Sequence, residues 1–278
     1  MCRWLAYSGG PLALSDLVFN TTHSLVDQSL SARSSVQTTN GDGFGIGWYD
    51  HCDVPGVYKH IQPAWNDPNL RDLCDHMQST MFVAHVRAAT DTAIQRSNCH
   101  PFRYGKWLFV HNGQIRGFEK IRRDLAVALR PELFALLTGT TDSELMFLLA
   151  LHFGMEDDVY AGVARMVGFI EKAGHEHGIE YPMQMTLGIT DGTRIHAFRY
   201  SSENNTRTLF CTRTVADLRE LADEEGQKRL DKVTADARAI VSEPFNDVPD
   251  AWIEVPESSF VTIEAGEFTR QDFAPAAL

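Results

Sequence analysis

Met1-Cys2-Arg3-Trp4-Leu5-Ala6 opens the chain, and the reading of this stretch decides the fold because it puts a thiol directly behind the initiator methionine. A small side chain there favours trimming of the methionine, which makes cysteine the N-terminal residue. Such a residue carries a thiol and a free α-amine on adjacent carbons, a nucleophile with its own base. Reference pKa values of about 8.5 for the thiol and roughly 7.7–8.0 for the amine make proton exchange between them nearly isoenergetic at neutral pH. Residues 2–8 are short and end at Gly9-Gly10-Pro11, which predicts a strand buried on both faces and a rigidly placed N-terminus. Many chains begin Met-Cys by chance, so the meaning of Cys2 depends on the residues downstream.

The 278 residues, 44% hydrophobic and 22% charged, describe a chain able to bury a large core. A formal net charge of −12 argues against nucleic-acid binding, which calls for a basic face. No apolar run reaches bilayer length and no signal-peptide blocks open the chain, so the expectation is no membrane association and a cytoplasmic location. Cys2, Cys52, Cys74, Cys99 and Cys211 are odd in number and contain no Cys-x-x-Cys pair, which suits a reducing compartment and encodes no zinc ribbon. His175-Glu176-His177 lacks the spacing that puts two histidines on one helical face. Neither a metal nor a cofactor is expected.

Residues 15–38, rich in Ser, Thr and Gln, read as a long ordered loop before a turn at Asn40-Gly41. In Gly41-Asp42-Gly43-Phe44-Gly45-Ile46-Gly47-Trp48-Tyr49 every second residue is glycine. As a strand this segment has one bald face and one face carrying Phe44, Ile46 and Trp48, so another backbone or a ligand can approach the bald side. Further strands are predicted over 56–65, 80–86 and 106–110, with a helix over 69–79. The strand over 80–86 delivers Arg87 and Thr90 at its end; that over 106–110 delivers His111-Asn112-Gly113. Helical periodicity covers 118–129, 142–153 and 157–176, with Asp142 as the cap or first-turn acid of the second helix. Strands return at 184–189, 193–200, 208–211, 238–241, 252–255, 260–263 and 267–272, with one helix over 215–225. Strands, then helices, then strands, without a linker, read as one α+β domain over 2–278 with two sheets between helical layers.

Taken singly, Arg87 can be a surface ion pair, Asn112-Gly113 a type I′ turn and Asp142 a helix cap. Taken together with Cys2 they match a γ-glutamyl unit group by group. Arg87 offers a bidentate fork for an α-carboxylate, supported by the Thr90 hydroxyl. Asp142 suits an α-ammonium. The Asn112 amide and the Gly113 main-chain N–H suit the oxygen of a γ-carbonyl as it becomes an oxyanion. His100 and His111 are expected as wall residues packed with a satisfied ring nitrogen, since the α-amine already supplies a base.

Met1-Cys2-Arg3, Asp42-Gly43-Phe44-Gly45, His85-Val86-Arg87-Ala88-Ala89-Thr90, Asn98-Cys99-His100-Pro101-Phe102, His111-Asn112-Gly113 and Thr141-Asp142-Ser143-Glu144 follow the order and approximate spacing of class II glutamine amidotransferase domains. The resemblance covers about residues 2–200, with strands over 238–272 completing the sheets. It implies an N-terminal nucleophile hydrolase with a four-layer αββα sandwich. The stand-alone branch, which includes the γ-glutamyl hydrolase of ergothioneine biosynthesis and a yeast glutathione-degrading relative, is similar also in Val241-Ser242-Glu243-Pro244-Phe245 and Trp252. Two positions depart from the glucosamine phosphate synthase type: Ala88 stands where tryptophan is usual, and Asp91-Thr92 where glycine is. The resemblance implies hydrolysis of a γ-glutamyl amide, glutamine or a larger conjugate, through Cys2 and a γ-glutamyl thioester. Two alternatives remain open at this point: a glutaminase subunit passing ammonia to a separate synthetase, and a catalytically silent γ-glutamyl-binding protein. The expected partner is a small molecule, with a synthetase or a second copy of the chain also compatible.

Overall fold

Cys2 leads directly into β1 (Arg3–Ala13), which runs through Gly9-Gly10-Pro11 instead of stopping there. A register shift between Ser8 and Leu12 in its pairing absorbs the interruption, and the Thr234 hydroxyl accepts the Gly10 N–H. The computed structural model describes residues 2–31, 39–89, 92–248 and 250–277. After β1 come α1 (Ser15–Val18), α2 (Leu25–Leu30), β2 (Phe44–Trp48), β3 (Gly56–His60), α3 (Pro68–His76) and β4 (Gln78–Val86). Next are β5 (Phe102–Tyr104), β6 (Trp107–Ile115), α4 (Phe118–Val127), α5 (Pro131–Phe134), α6 (Asp142–His152) and α7 (Val159–Glu176). The chain then returns to strands in β7 (Met183–Thr190), β8 (Arg194–Ser201) and β9 (Phe210–Thr212). Two short helices, α8 (Val215–Leu221) and α9 (Glu224–Leu230), precede β10 (Arg238–Val241), β11 (Trp252–Glu254), β12 (Ser259–Glu264) and β13 (Glu267–Asp272).

Two antiparallel sheets result. One has seven strands in the order β11-β9-β10-β1-β4-β2-β3, the other six in the order β13-β12-β8-β7-β6-β5. Strand alternation sorts the side chains into three cores. Leu5, Tyr7, Phe44, Ile46, Phe82 and Ala84 bury against the helical layer that includes α1–α3. Trp4, Ala6, Val83, Leu108, Val110 and Ile240 fill the space between the sheets. Phe109, Leu187 and Ile189 pack against α4, α6 and α7. Helix, sheet, sheet, helix is the expected αββα sandwich. The strands beyond residue 238 belong to both sheets: β10 pairs with β1, and β12 with β8.

The bald strand face behaves as anticipated. A Cβ on Gly45 would stand 2.1 Å from the His100 carbonyl oxygen, so the segment leading into β5 lies flush against β2. Four further expectations need correction, the first being the strand expected over 56–65, which ends at His60 and is followed by a 3-10 turn over Ala64–Asn66. The stretch expected to be a loop over 15–38 holds two helices where it is described. Ser24 and Asp27 form a reciprocal capping box at the start of α2, so polar residues taken for a loop are nucleating a helix whose Leu25 and Val26 are buried. Residues 32–38 lie outside the described residues. The helix expected over 215–225 is two, each with its own cap, Thr214 and Asp223. Finally, β6 does not end at Val110 but continues to Ile115, pairing Asn112 with Thr186 and Gly113 with Met185. Asn112-Gly113 is therefore strand, not turn.

Candidate active site

Parity carries the site. Cys2 shares a strand face with Trp4 and Ala6, Arg87 follows β4 in phase with Val83 and His85, and Asn112 is in phase with Leu108 and Val110. All three therefore point between the sheets, at the end where β1 starts and β4 ends, and they line one cavity of about 920 Å³. Gly113 and Asp142 line it too. Thr90, the remaining expected contact, lies outside the described residues.

The Cys2 thiol is half-buried and donates to the Ala88 carbonyl at 3.6 Å. Burial pushes its pKa up, against the opposing pull of the Arg87 guanidinium. A thiol held protonated in this way needs a base to become a nucleophile. Its main chain is clamped from behind: Arg3 Nη1 donates to the Cys2 carbonyl at 2.9 Å, and Arg3 Nε donates to Glu243 at 2.9 Å. Glu243 in turn is hydrogen-bonded to His23 Nε2 at 2.8 Å, and Ser242 Oγ accepts the Trp4 N–H. The segment 241–245 thus orients the N-terminus from across β1.

Gly113 sits where no side chain fits. A Cβ there would meet the Gln184 carbonyl oxygen at 2.0 Å and His111 Nε2 at 2.7 Å. The Asn112 side-chain amide faces the cavity and has no partner among the described residues, while its carbonyl accepts from Thr186 Oγ1. Arg87 is 3% exposed. Its guanidinium donates to the Thr92 hydroxyl at 2.7 Å and to the carbonyls of Asp42 and Ala93. Thr92, in the segment that departs from the family pattern, was not foreseen as the group that orients this arginine; loop contacts of this kind leave no sequence period.

Asp142 is the first residue of α6, and Thr141 is its cap. Its carboxylate accepts the Ile115 and Ser143 N–H groups and the Ser143 hydroxyl. A carboxylate offers about four acceptor sites, so capacity is left for an ammonium. The loop before it is held by buried Glu144, which accepts from Thr138 and Gly139, and by buried Asn98, which bridges Ala93 and Thr140.

The histidines are partly as expected. His100 and His111 line the cavity, and His111 Nδ1 is 2.8 Å from Ser143 Oγ. His100, however, has neither ring nitrogen paired among the described residues, contrary to expectation. It is stacked on His85, with centroids 4.0 Å apart, and edge-on to Phe102 at 4.6 Å. The ring thus packs against two aromatic side chains instead of a hydrogen-bond partner. Burial depresses the pKa of all three histidines, that of His85 to about 3. Among the described residues, Asp50, His51 and Cys52 are the one grouping with metal-ligand spacing; they are exposed and lie outside this cavity. No helix among the described residues is long and apolar enough to cross a membrane.

With this geometry in place, comparison with known proteins identifies the class. Residues 12–276 match the family described as class-II glutamine amidotransferases, and the chain belongs to that family. It is an enzyme that hydrolyses glutamine-type amides. Among its relatives is the probable glutamine amidotransferase DUG3 of Saccharomyces cerevisiae, 31% identical over 95% of this chain and 82% of that protein. The gamma-glutamyl-hercynylcysteine sulfoxide hydrolase of Mycolicibacterium smegmatis is 34% identical over 117 residues, 41% of this chain and 52% of that one. A solved glutamine aminotransferase class-II domain protein from Silicibacter pomeroyi is similar over 99% of this chain and 100% of its own, with a TM-score of 0.72 and 31% identity.

Proposed function

We propose that the chain hydrolyses a γ-glutamyl amide through Cys2 and a covalent thioester. The observation that carries this reading is the convergence of Cys2, Asn112, Gly113, Arg87 and Asp142 on one cavity. Removal of Met1 frees the Cys2 α-amine. That amine, directly or through a water, takes the thiol proton as sulfur attacks the γ-carbonyl carbon. The oxygen becomes an oxyanion between the Asn112 amide and the Gly113 N–H, each donor supplying on the order of 3 kcal/mol. On collapse the C–N bond breaks and the ammonium returns its proton to the leaving nitrogen. Water, deprotonated by the same amine, then attacks the thioester carbonyl, releasing glutamate and the thiol. Arg87, with Thr90, holds the α-carboxylate and Asp142 the α-ammonium, which fixes the carbonyl against sulfur without making bonds.

Burial raises the Cys2 thiol pKa in the chain that carries Met1, and a buried thiol of this kind calls for a base such as the α-amine that trimming frees. The test joins N-terminal mass determination to a glutamate-release assay on glutamine and γ-glutamyl amides. Cys2→Ala is expected to bind substrate with no turnover, and wild-type enzyme quenched in turnover to carry the mass of a γ-glutamyl adduct on Cys2. Turnover by Cys2→Ala near the wild-type rate rejects the proposal.

A further inference from the structure

At about 920 Å³ the cavity is larger than a glutamyl moiety fills, and its lining includes a cation without a counter-ion among the described residues. Arg207 lines it, three residues before β9 begins. Its Nε is buried and has no hydrogen-bond partner among the described residues, and no described carboxylate pairs with its guanidinium. The neighbouring charges that act on it are the guanidinium groups of Arg3 and Arg116, and burial pushes its pKa down. Arg3 is engaged by Glu243 and Arg116 by Glu203, so neither neutralises nor needs Arg207. Beside it Gln184 presents an orphaned buried acceptor: Nε2 donates to the Asn205 carbonyl at 2.6 Å, which leaves Oε1 unpaired among the described residues. The loop holding Arg207 is pinned on both sides, Thr206 to Glu257 and Thr208 Oγ1 to the Ser242 carbonyl. The buried Arg207 Nε–H is costly to leave without an acceptor, and the half-buried guanidinium that carries it opens on the cavity where a ligand can supply one.

Strand order says which part of a substrate reaches it. In the seven-stranded sheet β4, which delivers Arg87, lies on one side of β1, and β10 then β9 lie on the other. Because successive strands are antiparallel, the end of β4, the start of β1, the end of β10 and the start of β9 share one edge. Arg207 therefore flanks Cys2 on the side opposite Arg87, about two strand spacings or ~10 Å from β1. A γ-carbonyl held at Cys2 by an α-carboxylate on Arg87 sends its leaving nitrogen towards Arg207. At ~3.3–3.6 Å per extended residue, the gap fits one residue when the arginine side chain extends towards Cys2 and two when it folds back.

We infer that Arg207, with Gln184 beside it, forms a leaving-group subsite for a carboxylate, so that the substrate is a γ-glutamyl amino acid or γ-glutamyl dipeptide in preference to glutamine. This rests on the γ-glutamyl reading of the same cavity. Arg207 donates its fork to the terminal carboxylate of the departing amine, and Gln184 Oε1 accepts an N–H of the departing residue.

Binding and turnover separate the two ideas. Calorimetry on Cys2→Ala protein compares γ-glutamylglycine and γ-glutamylalanylglycine with their C-terminal amides, which keep size and shape but lose the charge. Tighter binding of at least one acid than of its amide by about 10- to 100-fold is expected, the range for a charge-assisted pair. In the Cys2→Ala/Arg207→Ala protein that ratio should collapse towards one, and Arg207→Lys, which keeps the charge without the fork, should give an intermediate ratio. Equal binding of acid and amide by both pairs, or a ratio that survives loss of Arg207, overturns the subsite. If binding shows the ratio but enzyme with Cys2 releases no glutamate, the hydrolytic reading fails and the subsite stands.

Discussion

Replacing Gly113 with alanine tests fold and chemistry at one position. The new methyl would stand 2.0 Å from the Gln184 carbonyl oxygen and 2.8 Å from its carbon, both backbone atoms of β7, and 2.7 Å from His111 Nε2. A side chain can rotate away from such a contact; a paired strand cannot. To open the gap to an ordinary contact of roughly 3.5 Å, β6 and β7 must part where Gly113 faces Met185. Overpacking of this kind costs about 2 kcal/mol, which in a chain of this size lowers Tm by ~4–8 °C. The same displacement moves the Gly113 N–H from the place the proposed mechanism gives it in the cavity it shares with Cys2, and loss of one oxyanion donor lowers kcat by ~100- to 1,000-fold. Asn112→Ala is the control. Its amide holds nothing together among the described residues, so kcat should fall by a similar factor while Tm moves by less than ~2 °C. Differential scanning fluorimetry and single-turnover glutamate release read the two quantities. A Gly113→Ala enzyme with wild-type Tm and kcat, or an Asn112→Ala enzyme with wild-type kcat, refutes the placement of the oxyanion between these two groups.

Acid should unfold the protein through its buried histidines. His85 is 1% exposed with its pKa depressed to about 3 chiefly by burial, whereas in the unfolded chain it titrates near 6.5. Its contribution is complete above that value and falls as pH drops towards 3; at pH 5 the loss is ~2 kcal/mol from His85 alone. Urea unfolding at pH 7.5 and pH 5 measures it, and a His85→Asn protein should lose less stability over the interval; an equal loss in both would assign the acid sensitivity elsewhere. Glu144→Ala strips three donors on Thr138 and Gly139 of their acceptor. It should cost about 1–3 kcal/mol and, by loosening the loop before Asp142, raise KM more than it lowers kcat; an unchanged KM would separate that loop from substrate binding.

Much of the site was legible in the order of residues, because strand parity is a local property. Once 80–86 and the run from Trp107 are strands, Arg87 and Asn112 fall on the same faces as their apolar neighbours two and four residues back, and Cys2 falls with Trp4. The glycine alternation from Gly41 likewise announced a face that another backbone would press against, and the His100 carbonyl does so. Local signals misled where two structures share a composition. Ser24 and Asp27 read as loop residues, but their reciprocal bonds start a helix. Asn112-Gly113 has the residues of a type I′ turn, but β7 continues beside it and claims both for the ladder.

The sequence by itself determined that a thiol, an amide beside a glycine, an arginine and an aspartate come in a set, since each residue type is chosen by the group it must meet. Tertiary structure alone decided which cations a carboxylate claims. Arg3, Arg116, Arg199 and Arg207 are indistinguishable as letters, but Glu243, Glu203 and Glu254 hold the first three across 240, 87 and 55 residues of chain. Pairing over such separations follows from how the sheets bring distant loops together at one edge, and among the described residues that leaves Arg207 facing the cavity without a carboxylate.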